Sequence, residues 1–295
     1  LSSTKPWPTG TPVRARLMPS NIIDRQNAEF WNELCGTPAA RALGIIEPSS
    51  ENLRRFDEWY MNYYPYVARY VDSEAVKGKK VLEIGLGYGT LGQLLALQGC
   101  QYYGLDIAKN PVAMMHYRFS LLGLEGGHRV QVGSALEIPY KDATFEYVYS
   151  IGCLHHTGNL SRAVAEVYRV LADGGKAVIM LYNRRSFRRL VHLPRLRFRN
   201  RLLHCLQYRN DEAGFARWVR AAYDKNTEGE EAPHTDYVSR AQVRRLFRAF
   251  SSVRIESRNC TPLVFFKGRV RIPREKLLNN LGRVLGLDLY ITVTK

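Results

Sequence analysis

Between Lys79 and Asn183, short runs of aliphatic and β-branched residues alternate with amphipathic stretches, and this alternation restricts the possible folds more than any other feature of the chain. Lys80–Ile84, Tyr102–Asp106, Arg129–Val132, Phe145–Ile151 and Lys176–Tyr182 read as strands. Thr90–Gln98, Pro111–Leu122 and Leu160–Leu171 read as helices, the last with Leu160, Val164, Val167 and Leu171 on one face and Asp173-Gly174-Gly175 ending it. Strands separated by helices make right-handed βαβ units, so a doubly wound α/β fold around a parallel sheet is expected.

The flanks differ from this core. Residues 1–50 carry Pro6, Pro8, Pro12, Pro19, Pro38 and Pro48 and little periodicity, which suits an arm with short helical pieces. Residues 51–73 repeat Leu53, Phe56, Tyr60, Tyr63, Val67 and Tyr70 at helical spacing and predict a helix rich in aromatics. After the fifth strand, Arg184–Arg209 holds nine arginines and no acid, interleaved with Phe187, Leu190, Leu193, Leu196 and other apolar residues. Ser239–Phe250 reads as a helix with Ser239 as N-cap, Ser252–Glu256 and Leu287–Val293 as two late strands, and Lys267–Lys276 as a basic surface excursion. The expected organisation is an arm and helical cap over 1–78, a core over 79–183, a basic lid over 184–238 and the remainder of the sheet over 239–295.

Glycines follow the first strand at once, in Glu83-Ile84-Gly85-Leu86-Gly87-Tyr88-Gly89. Bare backbone at a strand tip lets a ligand approach closely, and the next helix offers unpaired N–H groups. This is where an open α/β sheet binds a nucleotide-like ligand. Gly87, Gly89 and Gly92 also fit the dinucleotide spacing G-x-G-x-x-G. Asp106, at the tip of the second strand, suits a ribose diol of either kind of ligand, because a carboxylate accepts from both hydroxyls; the alternative is a helix N-cap. Glu83 favours an amino-acid-bearing ligand over a dinucleotide: a buried carboxylate needs a cationic or donor partner, and a pyrophosphate would repel it.

Four blocks in this order resemble the class I S-adenosylmethionine-dependent methyltransferases, and most nearly the branch of ubiquinone and menaquinone methyltransferase-like (type 11) proteins. They are Val81–Thr90, Tyr103–Ile107, Gly133–Tyr140 with Phe145–His156, and Glu166–Val178, together covering about residues 79–183. The resemblance implies a Rossmann-like sheet of seven strands, the last antiparallel, with S-adenosylmethionine as cofactor and S-adenosylhomocysteine as product. It places Gly85, Gly87 and Gly89 against methionine and ribose, Asp106 on the ribose hydroxyls and Ile107 against adenine. Ser134 and Ala135 would border the adenine edge, where many members carry an acid in place of Ser134. Ser150, Ile151 and Gly152 would floor the transferred methyl, and Tyr60 or Tyr64 would close over the site from the cap.

Methyl transfer from a sulfonium is an in-line displacement, so alignment is the main requirement. An oxygen or carbon acceptor must also lose a proton, and His155, His156 and His234 are the candidate bases, each with the alternative of a structural histidine. At a strand end His155 and His156 are expected to point in opposing directions, leaving one of them toward the acceptor. No metal site is expected. The net charge of +16 suggests an anionic small molecule, an anionic membrane surface touched peripherally, or RNA; no nucleic-acid-reading module is recognisable, and an RNA methyltransferase using the basic face stands as the second enzymatic reading. A non-catalytic cofactor-binding protein of the same fold is the alternative of another class. Five scattered cysteines without a CxxC pair fit a reducing, cytoplasmic setting, and no apolar run reaches the ~18 residues of a membrane span.

Overall fold

A computed structural model of the chain describes residues 22–33, 38–45, 47–124, 126–194, 212–265 and 269–295. The arm and cap contribute α1 (Ile22–Phe30), α2 (Pro38–Ala42), α3 (Ser50–Tyr63) and α4 (Ser73–Val76). The core follows as β1 (Lys80–Ile84), α5 (Thr90–Leu97), β2 (Gln101–Asp106), α6 (Lys109–Leu122), β3 (Val130–Val132), β4 (Phe145–Ile151), α7 (Leu160–Val170) and β5 (Leu171–Asn183). Beyond it come α8 (Glu212–Ala221), β6 (Tyr237–Val238), α9 (Arg240–Leu246) and β7 (Ser252–Arg258). The hairpin β8 (Leu263–Phe265) with β9 (Val270–Ile272), α10 (Arg274–Leu277), α11 (Leu281–Leu285) and β10 (Asp288–Thr294) complete the described chain.

The main sheet runs β3-β2-β1-β4-β5-β10-β7, with the two-residue β6 paired to β5. Strands β3 to β5 on this path are parallel, and β10 is antiparallel to both its neighbours, β5 and β7. Strand order reverses between β1 and β4, so a crevice opens at their carboxyl ends. Period-two alternation divides β1 between two cores. Leu82 and Ile84 pack with Ala163, Val164 and Val167 of α7, while Val81 packs with Leu91 and Leu95 of α5 and Met115 and Phe119 of α6.

Three departures from the sequence reading have local causes. The helix expected over 51–73 stops at Tyr63, because Pro65 lacks an N–H and disfavours helical geometry at Tyr64. Val67–Tyr70 then forms a separate 3₁₀ turn. The excursion at 267–276 is in part structured: β9 pairs with β8, and Arg274 is buried, stacked 3.8 Å from the Tyr63 ring centre and donating to Asn259 Oδ1. Strand β5 begins directly at Leu171, five residues ahead of Lys176. The N-cap at Ser239 forms a full capping box with Gln242. Among the described residues no helix is long and apolar enough to cross a membrane. Of the arginine-rich stretch, Arg195, Arg197, Arg199, Arg201 and Arg209 lie outside the described residues.

Candidate active site

Two of the three loop glycines are required by the protein's own packing. A Cβ on Gly85 (φ +83°) would lie 2.4 Å from Cys153 Cβ, and one on Gly89 (φ +79°) 2.4 Å from Met115 Sδ and 2.9 Å from Arg118 Cδ. A Cβ on Gly87 would meet nothing within 4 Å, so the loop presents open space at its middle. Beside it, Asp106 is buried, and its carboxylate accepts from the N–H groups of Leu86 (2.7 Å) and Ala108 (2.9 Å). Burial raises its pKa to about 6, against the lowering effect of these and neighbouring backbone donors. At neutral pH it is therefore ionised, with lone pairs left for a diol. The N-cap of α6 is Ala108, so Asp106 is not the cap itself.

Glu83 finds its donor inside the protein. The Tyr102 hydroxyl donates to its carboxylate, which lies beneath Gly92 between α5 and α6. Of the cationic or donor partners that a buried Glu83 calls for, the protein itself supplies a tyrosine hydroxyl. Burial raises the Glu83 pKa to about 8, so the folded protein holds a proton that an unfolded chain releases near pH 4.5. Between these limits the folded state binds more protons, and stability falls as pH rises. Glu83→Gln keeps an acceptor for Tyr102 without the titration. Its melting temperature is expected to gain on wild type by a few degrees as pH rises from about 5 to about 8. Parallel melting curves for the two proteins across that range would show that Glu83 is ionised throughout.

The cap is fastened to the loop by an ion pair that the sequence did not reveal. Arg118, 1% exposed, reaches from α6 to both carboxylate oxygens of Asp57 on α3 at 2.8 Å. It also donates to the Tyr88 carbonyl (2.6 Å) and to Gln93 (2.7 Å), while the Thr90 hydroxyl donates to Asp57. Phe56 stacks on Tyr88 with ring centres 4.1 Å apart. Further along the cap, the ring centres of Tyr60 and Tyr64 lie 5.0 Å apart, and burial raises the Tyr60 pKa, with Glu83 and Asp288 adding to the rise.

The arm crosses the strand tips. Ser134 donates to Asp24 of α1 at 2.8 Å, so a buried carboxylate stands beside the position where many members of the resembling family carry an acid. Asn27 donates to the His156 carbonyl, Asn32 accepts from the Asn110 N–H, and Glu33 accepts from the Thr227 N–H. Ala135 is buried in the core, and Ile107 and Ile151 are partly exposed at the strand ends. Ser150 is fully buried and donates to the Ile84 carbonyl at 3.0 Å, tying β4 to β1.

The histidines depart from their expected geometry. Leu154–His156 is a 3₁₀ turn, which spaces successive side chains by about a third of a turn instead of alternating them. Both rings therefore join one cluster: His155 lies 4.2 Å from His156 and 4.2 Å from Tyr182, centre to centre. His156 Nδ1 lies 2.7 Å from the His234 carbonyl, and its Nε2 lies 3.8 Å from Asp224 Oδ2. Tyr182 donates to Asp224 Oδ1 at 3.0 Å. His234 Nε2 faces Asp236 at 3.2 Å. Asp224 and Asp288 had no signal in the sequence, since each arrives from a segment far from the glycine loop. A cavity of about 440 Å³ is lined by Arg188, Leu193, Trp218, Ala222, Lys225 and Pro262, of which Ala222 and Lys225 are near Asp224 in sequence. A larger one of about 630 Å³ lies among Arg69, Asp72, Lys176, Arg254 and Glu256, and neither lining includes a residue of the histidine cluster.

Comparison with known proteins agrees with this geometry. Residues 82–179 match the family described as "Methyltransferase domain". Norajmaline N-methyltransferase of Rauvolfia serpentina is 34% identical over 120 residues, 40% of this chain and 41% of that protein. Sterol 4-C-methyltransferase of Caenorhabditis elegans is 30% identical over 98 residues, 33% of this chain and 29% of that protein. The chain thus spans less than half the length of these curated relatives. A chain from the complex of the Haloferax volcanii Trm112 methyltransferase activator with a methyltransferase shares the fold, with a TM-score of 0.50 at 17% identity over 81% of this chain and 92% of that one. Residues 82–179, about a third of the chain, thus match a methyltransferase family over the stretch that holds the glycine loop and the parallel strands. The open space at Gly87 and the ionised Asp106 beside it fit the family's cofactor, S-adenosylmethionine.

Proposed function

We propose that the chain transfers a methyl group from S-adenosylmethionine to an oxygen of a small anionic or lipid-like molecule. The observation that carries this reading is the glycine loop, open at Gly87, with the Asp106 carboxylate at the next strand tip. Asp106 takes the ribose hydroxyls, Ile107 lies against the base, and Ser134, Ala135 and Asp24 border its edge, with the Asp24 carboxylate accepting from the exocyclic amine. Gly85 and Gly89 hold the loop in shape, and Gly87 gives the close approach. Tyr60 and Tyr64 cover the site, their ring faces suited to a cation. When bound, the cofactor supplies an electrophilic methyl on a sulfonium.

On the acceptor side, Ile151 and the His155–His156 turn lie at the tip of β4, and the 440 Å³ cavity offers apolar walls with Arg188 and Lys225 for an anionic group. His156 is the histidine placed to receive a proton; His155 forms a wall, and His234 contributes its carbonyl to orient His156. The test is calorimetry with S-adenosylhomocysteine. Binding in the micromolar range is expected, with no quenching or enhancement of NADH fluorescence. A protein that takes up no S-adenosylhomocysteine at millimolar concentration does not perform this reaction.

A further inference from the structure

One face of the main sheet changes character toward its edge. Over β1 that face is apolar, with Val81 packed against Leu91 and Leu95 of α5 and Met115 and Phe119 of α6. Residues paired across neighbouring strands share a face. Val81 pairs with Tyr147 and Tyr147 with Lys176; further along, Tyr149 pairs with Val178, Val178 with Thr292 and Thr292 with Arg254. The same face therefore ends in Lys176 on β5 and in Arg254, Glu256 and Arg258 on β7. A doubly wound sheet ordinarily buries both faces under helices. Here the face floors a cavity of about 630 Å³, walled by Arg69, Tyr70 and Asp72 from the cap and by Arg283 of α11. That volume is in the range of small-molecule sites.

Six cations line the cavity, Arg69, Lys176, Arg240, Arg254, Arg258 and Arg283, against two acids, Asp72 and Glu256. Both acids are engaged. Asp72 accepts from the Ala75 N–H at 3.2 Å as the N-cap of α4. One Glu256 oxygen accepts from Arg258 at 2.8 Å and from Arg254 at 3.3 Å, and the other accepts from the Tyr70 hydroxyl at 3.3 Å. Arg258 also donates to the Tyr70 hydroxyl at 3.1 Å, and the Tyr70 ring stacks on Tyr290 with centres 4.5 Å apart. Two guanidinium groups are thus held side by side with N–H groups to spare. Among the described residues, the side chains of Arg69 and Lys176 have neither a hydrogen bond nor an ion pair.

A cleft lined by one sign of charge focuses its field on a counter-ion. Strand β10 separates β5 from β7, so Lys176 and Arg254 stand about 10 Å apart across the sheet. Cations spread this widely suit linked phosphates better than a single ion, and guanidinium forks match phosphate oxygens. We propose that this cavity is a second ligand site, for a soluble small molecule carrying two or more linked phosphate groups. It is separate from the glycine loop. Val81, Tyr147 and Lys176 are level across the sheet, and Gly85 lies about 13 Å further along the strand direction. Its occupancy is independent of methyl transfer.

The test is calorimetry of the whole chain with tripolyphosphate, pyrophosphate and orthophosphate, with and without S-adenosylhomocysteine. At about 50 mM salt tripolyphosphate is expected to bind in the micromolar range, and to bind more weakly as salt rises. Pyrophosphate should bind about 10-fold and orthophosphate about 100-fold more weakly, as charged hydrogen bonds are lost. Lys176→Gln and Arg69→Gln should each weaken tripolyphosphate binding by about 10-fold. Both side chains are exposed, so the two variants should melt within about 1 °C of wild type. Arg188→Gln, on the other cavity, should keep wild-type affinity. Asp72→Asn retains a capping oxygen and removes a negative charge, so it should tighten binding by about threefold. Loss of structure cannot produce that gain.

Tripolyphosphate affinity that both Lys176→Gln and Arg69→Gln leave unchanged overturns the assignment, as does displacement of tripolyphosphate by S-adenosylhomocysteine. Orthophosphate binding as tightly as tripolyphosphate removes the linked-phosphate requirement and overturns it too. If tripolyphosphate does not bind, while an RNA oligonucleotide or anionic phospholipid vesicles bind through Lys176, the face serves a macromolecular surface and the small-ligand site is wrong.

Discussion

Replacing Arg118 by methionine is expected to lower the unfolding free energy by about 3 kcal/mol, the lower end for breaking a buried ion pair. The guanidinium is 1% exposed and makes hydrogen bonds to Asp57, Gln93 and the Tyr88 carbonyl. Methionine fills a similar volume but leaves the Asp57 carboxylate and the carbonyl without their donor. The Asp57 side chain is 21% exposed, so water relieves part of the cost. For a chain of this size the melting temperature should drop by roughly 5 °C. Adding Asp57→Leu should recover part of the loss, because the charge left behind is then removed. Chemical denaturation of the two variants beside wild type measures both effects. A single variant within about 0.5 kcal/mol of wild type would mean that cap and loop are held together by apolar contacts such as Phe56 on Tyr88.

Asp106→Ala is expected to weaken S-adenosylhomocysteine binding by about 100-fold or more, since hydrogen bonds to a charged group contribute about 1.5–3 kcal/mol each. The same carboxylate fastens Leu86 and Ala108, so the loop loses some of its order along with the diol contact. Comparison with an analogue lacking the ribose hydroxyls separates the two contributions. Wild type should discriminate strongly against the analogue, and the variant should hardly discriminate at all. Unchanged calorimetric affinity in Asp106→Ala would place the ribose elsewhere.

The sheet was legible because its signals are local. The strand and helix periods from Lys80 to Tyr182, the breaks at the loop glycines and the capping residue Ser239 all lie within a few residues of what they determine. The glycine turn and Asp106 were legible as strand-tip features for the same reason: Gly85, Gly87, Gly89 and Asp106 sit at the tips of adjacent strands. What escaped the sequence depends on contacts between distant segments. Asp57 with Arg118, Asp24 with Ser134 and Asp224 with His156 are separated by 61, 110 and 68 residues, and no periodicity links them. The error over His155 and His156 was of another kind. Strand alternation was extended past Ile151 into a turn that winds both rings to one side. The split of the predicted cap helix needed only Pro65, which was visible in the chain but outweighed by the run of aromatics on either side.

Strand β10 runs against its neighbours, and this direction decides which part of the chain forms the far wall of the cleft. A parallel strand offers its last residue to the reactive edge; β10 offers its first, Asp288, paired across from Tyr182. The connection entering β10, which contains the β8–β9 hairpin and Arg274, therefore ends beside Tyr182 at the carboxyl end of β5. Insertions or deletions there would remodel one side of the mouth without touching the glycine turn on the other. Architecture of this sort lets a lineage vary what it modifies while keeping unchanged the reagent it modifies it with.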